Sequence, residues 1–89
     1  MKAIVSVIGH DKKGIIAKVS NCLYEMDINI EDISQTIMQD YFTMIMLVSI
    51  KDCAVSYEEV ANTLKALGEE IGVTIRIQHE DIFSAMHKL

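Results

Sequence analysis

Eighty-nine residues, 51% hydrophobic, 24% charged and without proline, hold one core and exclude a disordered or low-complexity chain. Thirteen acidic against eight basic residues give a net charge of −5, a sign that opposes the counterion release behind non-specific nucleic-acid affinity. The same balance leaves no cationic cluster for an anionic membrane surface. Neither nucleic acid nor membrane is therefore expected as a partner, and no run approaches the ~20 apolar residues of a membrane helix. Cys22 and Cys53 stand at unrelated spacings, which predicts reduced thiols rather than a disulfide or a metal pair, and with them a cytoplasmic location.

Residues 2–8 put Ala3, Val5 and Val7 on one face and Ile4, Ser6 and Ile8 on the other. A β-branched run apolar on nearly both sides belongs in the middle of a sheet. After a polar turn over 9–13, Ile15, Val19, Cys22, Leu23 and Met26 recur at helical spacing, which predicts a helix over about 12–26 with Asp11 as its N-cap. Residues 29–39 return to strand, Asp40 marks a tight turn, and 41–50 completes a hairpin. A loop over 51–55 leads to Ser56 and, three residues on, Glu59, the capping-box spacing of a second helix. Its stripe Val60, Leu64, Leu67 and Ile71 stops at Gly72. Val73, Ile75 and Ile77 then alternate with Thr74, Arg76 and Gln78 in a last strand with one wet face. Residues 80–89 form a short tail, with Ile82, Phe83, Met86 and Leu89 at helical intervals.

This order predicts an α+β fold of the ferredoxin-like βαββαβ plan, a four-stranded antiparallel sheet with two helices on one face and a short C-terminal tail. It fills a single domain over 1–89, with core 1–79 and tail 80–89. Strand 41–50 shows Phe42, Met44, Met46, Val48 and Ile50 on one side and Ile45 and Leu47 on the other. Helices cover one side only, so the second needs the tail, another chain, or both.

The most specific segment is Gly9-His10-Asp11-Lys12-Lys13-Gly14 followed by Ile15-Ile16. A strand end, a turn and a helix start gather backbone N–H groups at one point, which suits a carboxylate or phosphate. Gly14 lets a ligand or a neighbouring backbone come close. The bland alternative is that Asp11 caps the helix and Gly14 fits a tight helix–sheet contact.

The pattern Gly-x-Asp-x-x-Gly-Ile-Ile, with a helix ending in Met26-Asp27-Ile28-Asn29-Ile30, resembles the ACT domain over residues 1–79. The segment Ile82-Phe83-Ser84-Ala85-Met86-His87 further resembles small stand-alone ACT proteins of bacteria and archaea, a group without an assigned activity. ACT domains are βαββαβ modules that bind amino acids or similar small molecules and control enzymes, transporters or transcription. In members that bind serine or a related amino acid, a polar residue three before the motif glycine and the asparagine opening strand two contact the ligand across a dimer interface. The resemblance carries those positions to Asp11 and Asn29. The candidate ligand-binding residues are thus Asp11, Gly14 and Asn29, flanked in the turn by His10 and Ile15. Two departures stand out: Lys13 replaces a frequent proline, and Gly9 stands where the serine-binding relatives have histidine, with His10 only its neighbour.

Metal, cofactor and catalytic roles find less support. His10, His79 and His87 offer no ligating pair within one element. Cys22 falls on the apolar side of helix one and reads as core. An acylphosphatase-like enzyme on the same sheet plan resembles a phosphate-cradling loop with an arginine after strand one, whereas this loop offers Lys12 and Lys13, and the lone arginine is Arg76. The expectation is a non-catalytic regulatory module, without cofactor or metal, that binds an amino acid or similar small ligand at a homo-oligomer interface. The alternative is a ligand-free adaptor docking on a partner protein through its open sheet face.

Overall fold

A computed structural model describes residues 2–10, 13–50 and 55–80. Along the chain lie β1 (Lys2–Gly9), α1 (Ile15–Glu25), β2 (Asn29–Met38), β3 (Tyr41–Ser49), α2 (Tyr57–Ile71) and β4 (Thr74–His79). The strands form one antiparallel sheet in the order β2-β3-β1-β4. β1 is an inner strand, as its two-sided apolar pattern requires. Both helices lie on one face of the sheet, against the odd-numbered residues of β1 and the even-numbered residues of β3. Val5, Val7, Phe42, Met44, Met46 and Val48 are fully buried there against Val19, Leu23, Val60 and Leu64.

Helix α1 starts at Ile15, three residues later than the sequence pattern suggests. The residue before it, Gly14, has φ 75°, a left-handed backbone in which a right-handed helix cannot continue toward the N-terminus. Asp11, the expected cap, lies outside the described residues, and among the described residues no side chain caps α1. At the other end the N–H groups of Met26 and Asp27 donate to the carbonyls of Leu23 and Tyr24, and that of Ile28 donates to Leu23. Asp27 turns the chain out at φ 59°, a conformation that aspartate tolerates better than most residues.

Helix α2 follows its sequence signals at both ends: Glu59 N–H donates to Ser56 Oγ at 3.2 Å, and Gly72 closes the helix at φ 79°. Its buried stripe differs from the expected one. Val60, Leu64 and Gly68 face the core, while Leu67 and Ile71 are only partly buried. The helix leans on β4 at Gly68, where a Cβ would stand 2.6 Å from the Val73 carbonyl oxygen.

β2 is an outer strand, with a register shift between Ile30 and Asp32. Its residues are exposed apart from a half-buried Ile30, and Ile37 and Met38 are 67% and 69% open. The expected tail over 80–89 lies, beyond Glu80, outside the described residues. Among the described residues no helix is long and apolar enough to cross a membrane.

Candidate functional site

β1 ends at Gly9 opposite Phe42. The next residue, His10, sets its ring 4.4 Å from that of Tyr41, tilted by 39°, so His10 leans on the start of β3. Antiparallel pairing of β1 with β3 explains the contact, because Tyr41 precedes the residue facing Gly9. Sequence reasoning misses Tyr41, since it becomes a neighbour of His10 only once β1 and β3 are known to pair.

Gly14 is required for its backbone rather than for a close contact. No described atom lies within 4 Å of the place a Cβ would take, so the tight helix–sheet contact considered above is absent, and the approach to the helix start is open on that side. The first helical hydrogen bond runs from Lys18 N–H to the Gly14 carbonyl at 2.9 Å. The N–H groups before Lys18 therefore have no intrahelical acceptor, and the positive end of the helix dipole lies beside them. Ile15 is 3% exposed, so its side chain anchors the helix in the core and its backbone N–H is what it can offer a ligand. A hollow of about 190 Å³ lies alongside, lined by Lys13, Ile15, Lys18, Glu70 and Ile71.

Asn29 stands at the other end of the molecule. It opens β2 opposite Ser49, which in turn faces Lys2 at the start of β1. β1 has eight residues, and at about 3.3 Å per residue its two ends are roughly 23 Å apart. His10 thus follows the end of β1 and Gly14 and Ile15 open α1, while Asn29 of the same chain stands at the opposite end of the sheet. Near Asn29, Lys2 Nζ meets Glu31 Oε1 at 2.8 Å, and the hydrogen bond to this carboxylate raises the Lys2 amine above its ordinary range.

Cys22 is half-buried beside a groove of about 430 Å³ between the helices. Burial, with Glu25 adding to it, pushes the thiol up. A thiol held protonated is a poor nucleophile. Among the described residues no group of three His, Cys, Asp or Glu side chains could hold a metal ion.

Comparison with known proteins agrees with this architecture. The family model described as "ACT domain" matches residues 2–78. A UPF0237 protein of Clostridium acetobutylicum is 56% identical over 89 residues, all of both chains, and archaeal proteins of the same name also match over nearly the whole chain. Among solved structures, an ACT domain protein from Streptococcus pneumoniae superposes with a TM-score of 0.83 at 44% identity, covering 93% of each chain. The regulatory subunit of aspartate kinase from Thermus thermophilus is 30% identical with a TM-score of 0.66, covering 86% of this chain and 50% of that one. With its family model matched from the first strand to the last and a relative aligned end to end, the chain belongs to the ACT-domain family.

Proposed function

We propose that this protein is a non-catalytic regulatory module that binds an amino acid or a similar small ligand at the interface of a homo-oligomer. ACT domains are typically regulatory and ligand-binding, and the similar chain from Thermus is a regulatory subunit. The observation that carries the reading is the separation of Gly14 and Asn29 at opposite ends of one sheet, combined with the free edge of β2. An exposed ten-residue edge strand is a template for pairing with another chain. Antiparallel pairing of β2 with β2 of a second copy runs the two strands in opposite directions. The start of one β2, with Asn29, then comes to the end of the molecule where the other copy has His10 and Gly14.

In that arrangement the ligand carboxylate takes the open N–H groups at the start of α1. Asp11 accepts from the ammonium group, and the Asn29 amide of the second copy both donates and accepts. Native mass spectrometry of freshly purified protein tests the reading, since it reports the assembly and any retained small molecule together. The expected result is a dimer or higher oligomer with added mass that disappears after unfolding and refolding. If no amino acid raises thermal stability and no ligand is retained, the adaptor reading replaces this one.

A further inference from the structure

β4 is the second outer strand of the sheet and pairs, among the described residues, with β1 alone. An outer strand turns a row of backbone N–H and C=O groups to solvent. Beside it runs a groove of about 520 Å³ whose walls are residues 73–78 and, on α2, chiefly Asn62, Lys65 and Glu69. At about 3.3 Å per residue those six positions span roughly 17 Å, a length that fits an extended peptide better than a compact small molecule. Helix α2 runs antiparallel to β4, since the Tyr57 hydroxyl donates to the Ile77 carbonyl at 3.1 Å while Gly68 lies against Val73. The Tyr57 contact closes the edge at Ile77, so the stretch before it, Thr74 to Arg76, is where a further strand finds hydrogen bonds. Lys65 and Arg76 are the two cations of residues 55–80, and both border the groove. Both are exposed, and neither has an ion pair or side-chain hydrogen bond among the described residues. They stand on different sides of the edge: Lys65 is on α2, whereas Arg76 alternates with the core-packed Ile75 and Ile77 and so belongs to the face away from the helices. Glu69 lies one turn further along α2, toward the Val73 end, and leaves the middle of the groove positive in a chain of net charge −5.

We infer that the β4 edge docks an extended acidic segment of a partner protein, which joins the sheet as a fifth strand and carries two consecutive carboxylates. Main-chain hydrogen bonds to an exposed edge give such a segment its hold, and its side chains give the specificity. Successive side chains of a strand point to opposite faces, so of two adjacent carboxylates one meets Lys65 and the other Arg76. The planar fork of Arg76 takes its carboxylate through two hydrogen bonds. A second copy of the chain fits this edge poorly. Its β4 would bring the same two cations against these. Its β2 does carry consecutive acids, Glu31 and Asp32, but Lys2 holds Glu31 at 2.8 Å and the register shift between Ile30 and Asp32 disturbs the alternation. Pairing β2 on β4 is moreover head-to-tail and does not close after two copies. Neither the β2 edge nor the turn at Gly14 takes part, so the inference does not rest on the ligand reading.

Titration of the isotope-labelled full chain with the capped peptide Val-Thr-Glu-Glu-Val-Thr, followed through amide chemical shifts at low salt, tests the site. The comparison peptide has Lys-Lys in place of Glu-Glu. The acidic peptide is expected to shift amides of β4 and of α2 around Lys65, and to bind roughly tenfold or more tightly than the basic one. That preference runs against the net charge of the chain, which by itself attracts the cationic peptide, so it reports on the groove. The double variant K65E/R76E, altered only at exposed positions, is expected to reverse the order of the two peptides, with its folding verified by circular dichroism. Arg76→Gln, a milder change, should already weaken binding of the acidic peptide severalfold. Shifts confined to β2 or to the turn at Gly14, equal affinity for the two peptides, or no binding of the acidic peptide at millimolar concentration would overturn the inference. An order of preference that K65E/R76E leaves unchanged overturns it too. Concentration-dependent growth in mass that R76E abolishes without any peptide gives the edge to a second copy instead. Amino-acid binding by K65E/R76E is expected to match the wild type, so the ligand reading stands or falls separately.

Discussion

Gly9, at the end of β1, packs against Val73, just before β4, with no room for a side chain of its own: a Cβ on Gly9 would stand 2.5 Å from Val73 Cγ1. The histidine that serine-binding ACT domains resembling this chain carry at that position is therefore blocked here by Val73, which lies far beyond the motif in sequence. Rotating the Val73 side chain moves Cγ1, but its Cβ, 3.2 Å from the added carbon, stays in place, so a rotation alone does not clear the contact. Gly9→Ala is expected to destabilise by about 1–3 kcal/mol. Adding Val73→Ala should recover a large part of that loss, and urea unfolding of the two single variants and the double reads the coupling directly.

Gly68 sets two effects against each other. Alanine in a helix interior gains up to about 1 kcal/mol over glycine in backbone propensity. A Cβ there meets the Val73 carbonyl oxygen at 2.6 Å and Ile75 Cγ1 at 3.3 Å, and the same carbonyl region is tied down by the bond from Val73 N–H to the Gly68 carbonyl at 2.9 Å. Backbone yields less readily than a side-chain tip, so the clash wins and Gly68→Ala should lower stability by about 1–3 kcal/mol. A midpoint in urea equal to or above that of the wild type would show that α2 can lift off β4 without cost.

Stability should fall in alkali. Burial raises both the Cys22 thiol and the Tyr57 hydroxyl above their ordinary ranges, so the folded chain holds these protons more tightly than the unfolded one. Tyr57 also donates that proton to the Ile77 carbonyl at 3.1 Å while its ring stacks on His79 at 4.3 Å. The unfolded chain loses its protons first, beginning near the ordinary thiol value of about 8.5. The free energy of unfolding is then expected to decline as pH rises from there, first through Cys22 and later through Tyr57. Thermal unfolding from neutral to strongly alkaline pH reads the decline, and Cys22→Ser should remove its early part. For the same reason iodoacetamide should modify Cys22 more slowly than an unfolded control at neutral pH.

Much of the fold is legible in the sequence because the relevant signals are local. The two-sided apolar run of Ala3 to Ile8 places β1 inside the sheet, and Ser56 with Glu59 and Gly72 bracket α2 through capping chemistry that acts within a few residues. What the sequence hides is non-local. The start of α1 depends on the backbone angle at Gly14, while Asp11 and the lysines after it read as an acceptable first turn. The replacement of Leu67 and Ile71 by Gly68 in the buried stripe reflects a close approach to Val73, which hydrophobic periodicity cannot register. The candidate site divides the same way: the turn at Gly14 is visible in the chain, but the distance from it to Asn29 follows from the strand order β2-β3-β1-β4, and only that distance turns the pair into a question about two chains.

A site shared between two copies makes a prediction that a site within one chain does not. Asp11→Ala and Asn29→Ala are each expected to weaken amino-acid binding by about ten- to a hundredfold, the effect of roughly 1–3 kcal/mol from a lost polar contact. Mixing the two variants, after unfolding and joint refolding, creates hetero-oligomers in which one site takes its intact turn from one chain and its intact Asn29 from the other. Calorimetric titration of a panel of common amino acids against wild type, each variant and the mixture is the decisive measurement. Wild-type affinity regained in the mixture, at a fraction of the wild-type number of sites, is the expected result. A mixture as weak as its components, an Asn29→Ala variant that binds like wild type, or a wild type that binds nothing in the panel would contradict a ligand site built from two chains.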